Sequence, residues 1–330
     1  MSWFEFNSVL GNIGIFAILA LSLNVICGMT GLLQLGQAGF FAIGAYAAGL
    51  TSIYFTFPEL GVLNFAISAS AAMMAAGIFS IILGIPCLRL KGDYLAIVTL
   101  GFGEITRLVL INLMFPGGKM HPGEKIGGAT GIKFTEFPGD LWPNSPNYTA
   151  EFASWWFIWI AVIIICVFLI NIKKSSFGRA MMCIREDEIA AQAMGINISK
   201  YKMIAFLLSA VVAGLAGALF FHKELSIAPG KFNLICSIEI LLMIVLGGLG
   251  SFSGAVTGAV VLGITPYILR HVEICGYRLG EYQQLMYAVL LIILIRLAPN
   301  GIFGMNEVPV WIGKLLKMKN KPPAKQNETA

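Results

Sequence analysis

Trp155-Trp156-Phe157-Ile158-Trp159-Ile160-Ala161-Val162-Ile163-Ile164-Ile165-Cys166-Val167-Phe168-Leu169-Ile170-Asn171-Ile172 is an uncharged apolar run that ends on Lys173 and Lys174. About 20 such residues wound as a helix match the hydrocarbon thickness of a bilayer. The two lysines at its end mark the cytoplasmic side, where basic residues collect.

Working outward from this run, eight further apolar stretches lie near 8–28, 39–57, 63–86, 94–115, 204–222, 235–250, 254–273 and 283–298. The composition agrees, being 58% hydrophobic and only 12% charged. A soluble domain carries about twice that charge to hydrate its surface. About half of the 37 glycines fall within the apolar runs, where small residues let membrane helices approach closely. The fold expected is therefore all-α and integral to the membrane, a polytopic bundle of about 8–9 transmembrane helices. Two places depart from simple spans. Residues 29–38 are weakly polar and punctuated by glycine, as in a re-entrant turn covered by protein. The 235–250 run is short and ends in Gly247-Gly248-Leu249-Gly250.

The polar connections organise the rest. Residues 116–154 form a long loop rich in proline, glycine and aromatics. Residues 173–203 carry Lys173, Lys174, Arg179, Arg185, Lys200 and Lys202, and the tail 305–330 is basic as well. By the positive-inside rule the charged loop and the tail are cytoplasmic and 116–154 is external. Nine crossings then put the N-terminus outside. The opening Met1-Ser2-Trp3-Phe4-Glu5 has neither a basic n-region nor a cleavage site, so the first run reads as a retained helix. The six cysteines are scattered and form no CxxC pair. They read as small buried hydrophobes.

Catalytic signatures are missing. The sequence has no GxxxxGK[ST] phosphate loop, and His121, His222 and His271 form no HExxH pair. Gly250-Ser251-Phe252-Ser253-Gly254 has phenylalanine where a nucleophile elbow needs serine. No enzyme activity, cofactor, metal or nucleic-acid partner is expected, and lipid is the surrounding medium.

Two groups of residues carry the functional expectations. From Glu186 onward the charged loop reads as a short helix, with Glu186, Asp187 and Glu188 at its positive end and Gly195 as its stop. Ala190, Ala191 and Ala193 give it a slim surface. That surface fits both a docking element and a solvated helix. The second group consists of ionisable residues inside apolar runs. Glu104 and Arg107 lie three apart on one face of 94–115, and Glu239 lies in 235–250. Such residues mark either a pathway or an ion pair that fixes helix register. The glycine clusters at 31–49 and 247–263 are loosely alike, as in an internal duplication.

Several of these segments resemble the branched-chain amino-acid permeases of ATP-binding-cassette importers. One is 21–46, from Leu21-Ser22-Leu23-Asn24 through Gly36-Gln37-Ala38-Gly39 to Tyr46. Another is Gly92-Asp93-Tyr94-Leu95 to Gly103-Glu104-Ile105, which is closer to the M-type than the H-type subunit. Arg185-Glu186-Asp187-Glu188-Ile189-Ala190-Ala191 to Gly195 is similar to their cytoplasmic coupling loop. Arg296-Leu297-Ala298-Pro299-Asn300-Gly301-Ile302-Phe303-Gly304 is similar to their C-terminal signature. One departure is Ile189, which separates Glu188 from the Ala190-Ala191 pair; no Leu-Pro follows.

The resemblance implies a permease domain over 1–304 and a multi-pass protein of the bacterial cytoplasmic (inner) membrane. Its implied partners are a second, H-type permease, two cytoplasmic ATP-binding subunits and an external amino-acid-binding protein. The ATPases would act through Arg185, Glu186, Asp187, Glu188, Ala190, Ala191 and Gly195. Leucine, isoleucine and valine are the implied substrates. Urea, short amides or other amino acids fit as well, and a stand-alone secondary transporter is the remaining alternative.

Overall fold

The computed structural model describes residues 3–54, 61–87, 90, 93–116, 125–133, 155–224, 226–271, 273–274 and 277–278, together with 285, 287, 289, 292 and 296. The tail 305–330, most of the 116–154 loop and most of the ninth apolar run lie outside these residues.

The apolar runs form helices α1 (Trp3–Asn24), α2 (Gln37–Tyr54), α3 (Gly61–Cys87), α4 (Asp93–Asn112), α5 (Trp155–Lys174), α8 (Ile198–Glu224), α9 (Leu234–Gly247) and α10 (Phe252–His271). The charged loop folds as two shorter helices, α6 (Ser176–Glu186) and α7 (Glu188–Ala193). Among the described residues six helical stretches are long and apolar enough to cross a membrane. At the end of the bundle away from α6 and α7, short antiparallel pairs join Met114–Pro116 to Lys125–Gly127 and Ile132–Lys133 to Ser226–Ile227. The beginning of the 116–154 loop is thus tied back onto the helices.

α1 and α8 run antiparallel at the centre. Lys223, at the end of α8, reaches Asn12 near the start of α1 at 2.7 Å. α2 and α3 pack mainly on α8, whereas α9 and α10 pack on α1. Each central helix is therefore embraced by the pair that follows the other one in the chain. This exchange gives the loosely similar glycine clusters a common setting, for each cluster lines one of the two groups. Within the first, a Cβ on Gly44 would stand 2.5 Å from the Cα of Gly214. No larger residue fits there, so α2 and α8 cross backbone to backbone.

The irregular 29–38 stretch is a real interruption. α1 passes into a π-helical turn, Val25–Thr30, and Gly31 turns the chain at φ 73°. Residues 31–36 are non-helical, and α2 starts at Gln37. Gln34 and Gly36 are buried, and the amide of Leu35 donates to Thr99 Oγ1 of α4 at 3.1 Å. Irregular backbone at membrane depth thus finds protein partners, as it must.

The short 235–250 run behaves in a related way. α9 has 14 residues, or about 21 Å at 1.5 Å per residue, less than a bilayer core. Its N-terminus meets that of α2 inside the bundle, where Ala38 N donates to Ser237 Oγ at 3.1 Å. From there the two helices run to opposite ends. α2 finishes at Tyr54, whose hydroxyl bonds Pro116 O, and α9 finishes near Gly28. Gln37 bonds Ser22 on α1 at 2.5 Å and lies 3.4 Å from Ser209 on α8. One polar knot therefore ties four helices together.

Candidate coupling site at the helix breaks

The break after α1 and the turn after α9 touch one another, and a buried asparagine clasps them. Asn24 Nδ2 donates to Ser251 O, and Asn24 Oδ1 accepts from Gly250 N, both at 2.9 Å. Gly250 has φ 92°, a conformation that costs glycine little and most residues a good deal. Gly28 packs against it so closely that a Cβ there would come 2.6 Å from Gly250 N.

Two cations secure this joint from the charged loop. Arg185 Nη1 donates to Gly28 O at 2.5 Å, and Lys173 Nζ donates to Gly250 O at 2.5 Å. Gly28 O lies at the C-terminal end of the first helix, which carries partial negative charge and lacks intrahelical donors, and Gly250 O lies in the turn between α9 and α10. The cations satisfy both needs. Lys173 stands in the last turn of α5, and α6 presents Arg185 because Gly178, Met181 and Ile184 bury one face against the bundle. That packing leaves Arg185 half-buried beside the break.

The opposite side of α6 is open. With α7 it borders a mostly apolar groove of about 670 Å³ lined by Arg179, Met182, Cys183, Glu186, Ala190 and Met194, among others. Ile189 and Met194 are 81% and 82% exposed. A second groove, of about 580 Å³, lies on the other flank of α7, between Leu90, Gln192 and Lys202.

Of the loop residues expected to act together, Arg185 reaches the breaks and the others shape α7. The helix does not run continuously from Glu186. Glu186 closes α6, Asp187 is extended at φ −157°, and a new helix starts at Glu188. The cause is Asp187 Oδ1, which accepts from Ile189 N at 2.7 Å and Ala190 N at 3.0 Å and so caps the new helix. Glu188 pairs with Lys202 of α8 at 2.5 Å. Ala191 is buried, whereas Ala190 is exposed. Gly195, at φ 80°, ends α7 as expected. Its N–H bonds Gln192 O while Ile196 N bonds Ala191 O, which is a Schellman stop.

Glu104 and Arg107 form an ion pair on α4 at 2.8 Å. Glu239 lies on α9 against a cavity of about 250 Å³ that also touches Asn12, Phe16 and Tyr267. No hydrogen bond or ion pair among the described residues joins Glu239 to the α4 pair, or either of them to the joint. Asn24, Lys173 and the Gln37 knot were not singled out from the sequence. A polar side chain inside an apolar run is the signal that marks Asn24, whereas Gln37 lies in the weakly polar 29–38 stretch.

Taken together, these features define a multi-pass helical permease whose interrupted helices are held by a cytoplasmic-type charged platform. Residues 6–295 match the family described as branched-chain amino acid transport system / permease component, and the chain belongs to that family. It is 33% identical to the high-affinity branched-chain amino acid transport system permease protein LivM of Escherichia coli K12, over 93% of this chain and 70% of that one. A probable LivM of Methanocaldococcus jannaschii is 24% identical over 93% and 96%. The LivH permease of Escherichia coli K12 matches half as much, at 29% identity over 50% of this chain and 52% of its own. A solved structure, PsaBC from Streptococcus pneumoniae in complex with Fab, aligns over 97% and 96% at 16% identity and a TM-score of 0.43, too distant a likeness to argue from.

Proposed function

We propose that this chain is the M-type membrane subunit of an ATP-driven importer of leucine, isoleucine and valine in a bacterial cytoplasmic membrane. An external binding protein delivers the amino acid. An H-type permease supplies the other half of the passage, and two separate ATP-binding subunits supply the energy. The α6–α7 end is cytoplasmic, in keeping with its lysines and arginines.

The observation that carries the coupling is the joint at Gly28 and Gly250. Force applied by an ATPase to the exposed side of α6 and α7 passes through Arg185 and Lys173 to two interrupted helices at once. α7, capped at both ends and pinned by Glu188–Lys202, is short and stiff enough to transmit a push. The ATPase contact falls on Ile189, Ala190, Met194 and the groove beside them, with Glu186 at its rim.

The test is uptake of radiolabelled leucine into proteoliposomes. With both permeases, the ATPases and the binding protein present, uptake should require ATP. It should be competed by isoleucine and valine and should vanish when this chain is omitted. Leucine flux through this chain alone, driven by an ion gradient and indifferent to ATP, would overturn the proposal; competition by urea but not valine would overturn the substrate.

A further inference from the structure

α4 leaves an apolar face uncovered, formed by Tyr94, Ile97, Val98, Ile105, Leu108 and Val109. Two other helices do the same. α3 exposes Met74, Ile78 and Ile82, and α5 exposes Ile160, Ile163 and Val167. Apolarity alone does not distinguish them, since lipid covers such faces well. Charge does. The exposed stretches of α3 and α5 carry no charged residue before the lysines that end α5. On α4, Glu104 and Arg107 stand on the flank of the open face with 32% and 27% of their side chains accessible.

Their depth matters. Glu104 lies eleven residues past Asp93 and eight before Asn112, about 16 Å and about 12 Å from the two ends of the helix at 1.5 Å per residue, so its carboxylate sits well inside the apolar run. The pair uses one guanidinium N–H, from Arg107 Nε to Glu104 Oε2. A guanidinium has four more donors, and among the described residues none of them has a partner. Hydrocarbon cannot supply one. One turn away, a Cβ added to Gly101 would meet nothing within 4 Å, so the face is notched next to the charges.

We infer that this face of α4 is the seam against the second permease, and that Glu104 and Arg107 border the water-filled passage there. The inference rests on the proposed role as one of two permease subunits. It also gives the seam a mechanical link. The inner side of α4 covers the 31–36 break, through Leu35 N to Thr99 Oγ1 and through Phe102 against Phe40 at 5.1 Å between ring centroids. A shift of the break that Arg185 holds is therefore felt by the helix that walls the passage.

The experiment uses the complete transporter in membranes. Gly101→Cys and Ile105→Cys are introduced on α4, and Ile163→Cys on α5. Gly101 has room for the new side chain, and the other two sites are exposed. Labelling by a charged, membrane-impermeant thiol reagent is compared with that of the parent chain, in which the exposed Cys183 sets the background. The α4 cysteines should react at least ~10-fold faster than Ile163→Cys, since the reactive thiolate needs water around it. A short bismaleimide should join them to the second permease and leave Ile163→Cys uncrosslinked. If the second permease co-purifies and uptake is intact, yet the α4 cysteines neither label nor crosslink, the inference is wrong and the proposed function stands. If no second permease is recovered at all, both fall together.

Discussion

Arg185 Nη1 donates a 2.5 Å hydrogen bond to the carbonyl of Gly28, across 157 positions of sequence. It links the charged loop directly to the interrupted first helix. Lys173 makes the matching contact to Gly250 O. The two cations hold carbonyls on the two sides of a single joint.

Removing Arg185 should uncouple ATP hydrolysis from transport. A charge-assisted hydrogen bond is worth about 1.5–3 kcal/mol, or roughly a tenfold or greater effect. Arg185→Ala should lower leucine uptake per ATP hydrolysed by about that factor while the ATPases still co-purify, and Arg185→Lys should recover part of it. An unchanged ratio of uptake to hydrolysis in Arg185→Ala would remove the joint from the coupling path.

Asn24→Ala strips the partner from Gly250 N and one of two donors from Ser251 O, which keeps Ala255 N at 3.0 Å. Each buried group left unpaired costs about 1–3 kcal/mol. The variant should show a clearly lower thermal midpoint in detergent, read by fluorescence-detected gel filtration. A midpoint equal to that of the parent would mean that water or a neighbour replaces the clasp.

The ATPase contact is better probed at Ile189 and Met194 than at Glu188. Both are exposed and bear little on the fold, so Ile189→Asp or Met194→Asp should abolish ATPase co-purification and leave membrane yield unchanged. Glu188→Lys instead places two ammonium groups together and should loosen α7 itself. Adding Lys202→Glu should restore it. Retention of the ATPases by the Ile189→Asp, Met194→Asp double variant would place the docking surface elsewhere.

The two members of the α4 pair should not be equivalent. A lone glutamate can take up a proton and become neutral, whereas an arginine stays charged. Breaking a pair by removing one partner costs more than removing both. Glu104→Gln should therefore cut the membrane yield of the complex more than Arg107→Gln, by about two- to tenfold, and the double variant should lie closer to the parent. Quantitative immunoblotting of membranes decides this, and equal losses in the two single variants would contradict it.

The spans were legible because length and apolarity alone specify a membrane helix. Glycine spacing likewise marked the interruptions near residue 31 and after Gly247. What the sequence did not disclose is that these two places meet, because nothing local to Asn24 names Gly250 as its partner. A helix read from Glu186 starts two residues too early for a different reason. Acids at 186–188 look alike as first-turn residues, and only the geometry shows that Asp187 caps while Glu186 belongs to the helix before. The Glu188–Lys202 pair was equally hidden, since it closes across the α7 stop.

The exchanged embrace of α1 and α8 has a consequence for biogenesis. α1 is synthesised first, yet two of the helices that cover it begin only at Leu234 and Phe252. Until they arrive, the close approach at Gly28 and the amide of Asn24 lack their partners at Gly250 and Ser251. A nascent chain arrested before α9 therefore holds an unfinished joint in the membrane.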